Sequence, residues 1–151
     1  MIWLHHIGFA VKDIEKAGDF YRNTSIFDIT PPRVFAEFGV KSSFITPKGS
    51  NKTIMEIVEP IDNGARYGES ARQFLDEKGE GLFYFALFSD NYDNDIKDMK
   101  DKGFNLLMEE YTTFFPGYTL RLSWFDPEKI HAWVDIVDAK SVPKAAGGLA
   151  P

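Results

Sequence analysis

"LHHIGFAVKDIEKAGDF" (Leu4 to Phe20) can be written directly above "LFYFALFSDNYDNDIKD" (Leu82 to Asp98). Each stretch opens on a short apolar strand, passes an acidic turn and enters a helix-like segment. The same register carries on, with Gly39 over Gly117 and Phe44 over Leu122. One residue further out of step, "IMEIVEP" (Ile54 to Pro60) lies over "WVDIVDA" (Trp133 to Ala139), which sets Glu56 over Asp135. A chain with one register through both halves reads as a tandem repeat. Each half then reads as a strand, a helix and three strands, an α+β arrangement.

The expected elements follow from periodicity. In the first half, a strand covers 2–11 and a helix about 13–24, with Ile14, Ala17, Gly18 and Tyr21 on one face. Strands follow near 27–35, 40–46 and 53–59, and "PKGSN" turns into the last of them. In the second half, a strand covers 81–88 and a helix about 91–102. Asp90, Asp93 and Asp95 stand near the start of that helix and Lys97, Lys100 and Lys102 near its end, as its dipole favours. Gly103 is its stop. Strands are expected near 104–108, 118–125 and 130–137. "GESARQFLDEKG" reads as a linker helix within 66–79. Residues 1–138 are therefore expected to form one domain of two repeats, about 2–60 and 81–138, and 139–151 a flexible tail.

Composition bounds the function. The chain has 151 residues, 44% of them hydrophobic, enough for one sizeable core. Aromatics reach 15%, with 14 Phe, so an apolar pocket has material to line it. A net charge of −6 argues against a nucleic-acid partner. With no cysteine, disulfides, thiolate metal sites and cysteine nucleophiles are excluded. The N-terminus lacks the basic region of a signal peptide, and no apolar run approaches the ~20 residues that span a bilayer. A cytoplasmic protein without a membrane partner is expected.

Alternation along the first strand separates the two histidines. His6 shares a face with Leu4, Gly8 and Ala10, where small residues leave room for a pocket. His5 goes with Trp3, Ile7 and Phe9, the bulky side expected to pack on helices. Glu56 and Asp135 are acids inside apolar strands, and such a carboxylate is costly unless it is paired, hydrogen-bonded or bound to a metal. The repeat makes His6 and Tyr84 equivalents, and Glu56 and Asp135. A His/Glu/Asp cluster is a plausible donor set for a divalent ion.

"LHHIGFAVKDIEKAGDFY", "TIMEIVEP", "EKGEGLFYFALFSDN" and "DPEKIHAWVDIV" together resemble the glyoxalase / bleomycin resistance / dioxygenase (vicinal oxygen chelate) superfamily, nearest to its methylmalonyl-CoA epimerase-like and glyoxalase-I-like members. The resemblance spans about 2–138. It implies two βαβββ modules forming an open half-barrel around a divalent metal (Zn, Co, Ni or Mn). By position it places the metal ligands on His6, Glu56 and Asp135. The fourth ligand, a histidine in the family, falls on Tyr84, a poor ligand when neutral. A metal-free site is therefore the alternative. His131 lies on the same strand face as Asp135 but roughly 13 Å along the strand, too far to share an ion.

The function expected is a metal-assisted isomerase, epimerase or lyase acting on a small carbonyl or acyl substrate through an enolate, with Glu56 and Asp135 as the catalytic acid–base pair. Tyr84, Trp133, Arg121 and His131 are the pocket candidates. Arg121 is there for a carboxylate or phosphate, against a solvated strand face. The alternative is a metal-free protein of the same fold that holds an apolar or aromatic ligand. Extradiol dioxygenase chemistry ranks third, because a second histidine is missing at the required position. Loop "EEYTTFFPGYTL" reads equally as a ligand cover or a plain hairpin connection. A homodimer is possible.

Overall fold

Among the described residues, strand-forming runs of alternating character and three amphipathic segments settle into nine strands and three α-helices. The computed structural model describes residues 1–115, 118–128 and 132–142. In chain order these are β1 (Ile2–Ala10), α1 (Ile14–Arg22), β2 (Phe27–Ile29), β3 (Arg33–Phe35), β4 (Val40–Pro47), β5 (Met55–Pro60), α2 (Arg66–Lys78), β6 (Gly81–Ser89), α3 (Tyr92–Asp101), β7 (Leu106–Phe115), β8 (Tyr118–Phe125) and β9 (Trp133–Asp138). The chain divides into two compact units, Ile7–Phe83 and Met1–His6 with Tyr84–Pro151. Strands β1 and β6 each begin in one unit and end in the other.

In the unit Ile7–Phe83, β1 pairs parallel with β5, β5 antiparallel with β4, and β4 antiparallel with both β2 and β3. The expected single strand over 27–35 is two short strands. Pro31 and Pro32 fall between them, where proline offers no N–H to the ladder. Helix α1 starts where Asp13 accepts the Lys16 N–H (3.1 Å) and Glu59 accepts the Ile14 N–H (2.9 Å), filling two of the orphan donors at a helix start. It packs on a core of Val11, Ile14, Ile45 and Ile57, joined by Phe9, Ala17, Tyr21 and Met55. Since β-strand neighbours point opposite ways, the other sheet face carries Gly8 and Ala10 of β1, Glu56 and Val58 of β5, and Ser42 and Phe44 of β4.

The second unit repeats this plan. Its strand order is β1-β6-β9-β8-β7, with β6 and β9 parallel and β9, β8 and β7 antiparallel. Helix α3 is stopped by Gly103 at φ 80, whose N–H bonds to the Lys100 carbonyl (2.9 Å). It packs on Phe125, Val134 and Ile136 through Tyr92 and Ile96, with Phe85 and Leu87 against the same core. The remaining face carries Tyr84, Ala86 and Phe88 of β6, Trp133, Asp135 and Val137 of β9, and Leu122 and Trp124 of β8. Strand β7 extends to Phe115, well past the expected 104–108, and pairs across to β8 as far as Phe115 with Tyr118. The "EEYTTFFPGYTL" segment is thus mostly a paired hairpin, with Pro116 and Gly117 outside the described residues. The tail opens with a 3-10 turn over Ala139–Ser141, and the Ser141 hydroxyl accepts the Arg121 N–H (3.1 Å). Residues 143–151 lie outside the described residues. Among the described residues no helix is long and apolar enough to cross a membrane.

Helix α2 is seated by a backbone contact. The Gly68 N–H bonds to the Phe38 carbonyl (2.8 Å), and a Cβ on Gly68 would stand 2.3 Å from the Gly39 carbonyl oxygen. That oxygen also accepts the Ile61 N–H (2.8 Å), and Gly39 sits at φ 71, so neither side can give easily. Alanine gains about 0.5–1 kcal/mol of helix propensity over glycine, whereas overpacking costs about 1–3 kcal/mol. Overpacking therefore wins: Gly68→Ala should lower the urea midpoint, and an unchanged or raised midpoint would show that the contact relaxes freely.

Candidate functional site

Two strands begin the second unit's site, β1 and β6. The His6 Nε2 lies 2.8 Å from the Tyr84 hydroxyl, with the two rings edge to face at 5.6 Å between centroids. The His6 Nδ1 lies 2.7 Å from the Nδ1 of His5. Both ring nitrogens of His6 are therefore engaged by neighbouring side chains. Tyr84 is 3% exposed, and its ring stands 5.6 Å from that of Trp124. Trp124 is opposite Asp135 in the β8–β9 ladder, and Trp133 is opposite Tyr84 in the β6–β9 ladder.

His5 departs from its expected place. Its ring stacks on Phe88 (4.4 Å, 12° between planes), and Trp3 meets the same ring. Phe88 shares its strand face with Tyr84, while Phe85, Leu87 and Ser89 face α3; Ser89 itself bonds to Asp95. His5 thus packs on the side away from the helix, next to His6. Alternation still groups His5 with Trp3, since both reach Phe88, but it does not say which residue of β6 they meet.

The two acids are buried: Glu56 is 8% exposed and Asp135 6%. Glu56 lies in the unit Ile7–Phe83, opposite Gly8 of β1 and Phe44 of β4. Gly8 presents no side chain to it. Asp135 is opposite Ala86 and Trp124. In each unit the acid therefore stands on the face turned away from the helix, beside a small residue of the neighbouring parallel strand.

A divalent ion held through His6 does not fit this arrangement. Imidazole ligation needs a ring nitrogen whose lone pair faces the ion, and both nitrogens of His6 face protein partners. Among the described residues no group of three or more His, Cys, Asp or Glu is placed to hold a metal. His131 lies outside the described residues.

Arg121, expected in the pocket, is on the opposite face. It follows Ser123 and Phe125 toward α3, where its guanidinium lies 4.5 Å from the Tyr92 ring centre and bonds to Glu109 (2.7 and 2.9 Å) and Asp93 (2.6 Å). Burial alone would lower its pKa, but the two carboxylates hold it above the ordinary value. Its charge is already compensated within the fold. Trp124 is the residue that sequence reasoning missed. Its place beside Asp135 depends on the β8–β9 register, and the connection from Asp126 to Ala132 leaves that register open.

Tyr92 gives this cluster a pH signature. Burial pushes its phenol up to about 12, partly offset by its hydrogen bond to Ser123 (2.5 Å). The fold therefore holds this proton more tightly than the unfolded chain, whose phenol titrates near 10. The resulting stability is complete below the unfolded value and is lost as pH rises through the folded one. The loss should be on the order of 2–3 kcal/mol between the two values. Unfolding free energies measured across this alkaline window should fall less steeply in Tyr92→Phe; identical slopes would contradict the assignment.

Comparison with known proteins gives consistent results. The sequence pattern described as Glyoxalase/Bleomycin resistance protein/Dioxygenase superfamily matches residues 5–119. Mitochondrial methylmalonyl-CoA epimerase of Bos taurus is 28% identical over 107 residues, covering 71% of this chain and 58% of that protein. The Homo sapiens protein of the same name is 29% identical over 107 residues, covering 71% and 57%. The chain thus spans less than two thirds of the length of these curated relatives. Among solved structures, a methylmalonyl-CoA epimerase in complex with methylmalonyl-CoA and NH4+ has a TM-score of 0.71 at 24% identity, over 98% of this chain and 97% of that one. A variant of the Streptomyces coelicolor epimerase in complex with 2-nitronate-propionyl-CoA has a TM-score of 0.68 at 26% identity, covering 89% and 95%.

Proposed function

The chain belongs to the Glyoxalase/Bleomycin resistance protein/Dioxygenase superfamily, whose fold its two β-α-β repeats share, and on that premise we propose that it is an epimerase of 2-substituted acyl-CoA thioesters. The observation that carries the reading is the pair of buried carboxylates, Glu56 and Asp135, at the same repeat position and both turned away from the helices. The relatives' names supply the substrate class.

Epimerisation needs the α-proton removed from one face and returned on the other. In this reading the Glu56 carboxylate takes the proton. The C–H electron pair moves into the Cα–C bond, and the thioester carbonyl electrons move onto its oxygen, giving an enolate. Asp135 is the candidate for the second role, which requires it to hold a proton that it gives to Cα as the carbonyl re-forms. Turnover leaves Glu56 protonated and Asp135 ionised, and the reverse reaction or exchange with water restores the pair. The roles of the two acids interchange for the other epimer. Because a divalent ion bound through His6 does not fit the described donor set, no step runs through one.

The test is an assay with methylmalonyl-CoA in D2O, following both inversion and deuterium uptake at Cα. The wild type should turn over. Glu56→Gln and Asp135→Asn should each lose about 10²–10⁴ in kcat, the usual contribution of a positioned acid or base. A wild type that binds the thioester without exchanging its α-proton would favour the sequestering alternative, which the aromatic contact of Tyr84 with Trp124 supports.

A further inference from the structure

An enolate oxygen forming in a site shielded from water needs a hydrogen-bond donor fixed in advance, and such a donor accounts for a large part of the rate in comparable reactions. Proton transfer to Glu56 leaves that oxygen without one. In the unit Ile7–Phe83, among the described residues, two serines and one acid are buried: Ser42, Ser43 and Glu56. Ser43 is opposite Ile57 and so faces α1. Ser42 is opposite Val58 and shares the face of Glu56. It is 1% exposed, and its hydroxyl has no hydrogen-bond partner within the fold. Resting on the epimerase reading, we propose that Ser42 is a further catalytic residue, whose hydroxyl donates to the thioester oxygen as the enolate forms.

A buried hydroxyl left unpaired costs stability that an apolar side chain of similar size would not. Buried polar groups are nearly always satisfied, so an exception calls for a partner from outside the fold. The position of Ser42 says which partner. The β4–β5 ladder sets Phe44 opposite Glu56, and Ser42 opposite Val58 one pair further along the same face. Such diagonal neighbours stand about 7–8 Å apart. A base lies about 3–3.5 Å from the atom it attacks. A donor lies about 2.7–3.1 Å from the oxygen it stabilises. Glu56 and Ser42 can therefore hold the two ends of one Cα–C–O group. Both side chains belong to the same compact unit.

The surroundings suit the task. Phe35 is opposite Val40, and its ring meets that of Phe44 at 6.4 Å between centroids. Val40, Ser42 and Phe44 follow one another on this face, so the two rings converge across the serine. Arg33 is opposite Ser42, but its guanidinium lies over the Phe35 ring, 5.0 Å from its centre. The hydroxyl thus lies under apolar surface, where a hydrogen bond to an anion is stronger than in water. Phe44, half-buried and opposite Glu56, is the ring that must turn aside to admit the thioester oxygen. No proton leaves Ser42; the step is a hydrogen bond that strengthens as the oxygen becomes negative.

Two ligands separate ground state from transition state by calorimetry on the full chain. Methylmalonyl-CoA resembles the ground state, and 2-nitronate-propionyl-CoA carries a planar anion resembling the enolate. A group that acts on the transition state should discriminate between them. Ser42→Ala should weaken nitronate binding by about 10²-fold and methylmalonyl-CoA binding by less than about 3-fold. Without ligand, the same variant should keep or raise the urea midpoint, because it loses an unpaired hydroxyl. Equal weakening of both ligands, or no weakening at all, would overturn the proposal. So would a lowered midpoint, which would show that the hydroxyl has a partner in the free protein, such as a bound water. A wild type that binds neither ligand would remove the epimerase reading and this inference with it. Normal turnover in the wild type with no discrimination in Ser42→Ala would remove the inference alone.

Discussion

A strand residue shows its side chain to one face of the sheet only, and both units of this protein are organised by that constraint. In each, the residues facing the helix are apolar: Ile45 and Ile57 under α1, Phe125, Val134 and Ile136 under α3. Burying that face is the main favourable term in the fold. The opposite face is thereby released from packing on a helix. It is there that each unit holds its buried acid, Glu56 beside Gly8 and Asp135 beside Ala86. Shifting either strand by one residue would exchange acid for core residue.

The same constraint accounts for the replacement of Arg121 as a pocket candidate. Its alternation with Ser123 and Phe125 carries it to the α3 side, where it stabilises the helix start through Asp93 and stacks on Tyr92. The other face of that unit carries Tyr84, Trp124 and Asp135 instead. His6 is central there because it joins two partners, His5 through Nδ1 and Tyr84 through Nε2, and each bond fixes what the other can be. Such a chain is rigid only if every member is satisfied.

Much of this was legible in the sequence, for identifiable reasons. The repeat, the α+β class and the three helices followed from periodicity and from helix signals such as Asp13 and Gly103. The equivalence of His6 with Tyr84 and of Glu56 with Asp135 came from alignment of the halves. Four features were not legible. Pro31 and Pro32 break a strand that apolar patterning alone extends. The length of β7 depends on its partner β8, a pairing that local composition does not encode. The Trp124–Asp135 register is a cross-strand pairing that the pattern within either strand does not encode. The contact of His5 with Phe88 depends on β6, a strand far away in sequence, which alternation within β1 does not encode.

The central claim is that His6 serves as a hydrogen-bonding element linking His5 to Tyr84, and that it does not serve as a metal ligand. Titrating chelator-treated protein with Zn²⁺ in a calorimeter tests this most directly. The account predicts no saturable one-to-one binding at concentrations up to about 10 μM, and the same flat trace for His6→Ala. Tight one-to-one binding that disappears in His6→Ala would contradict it.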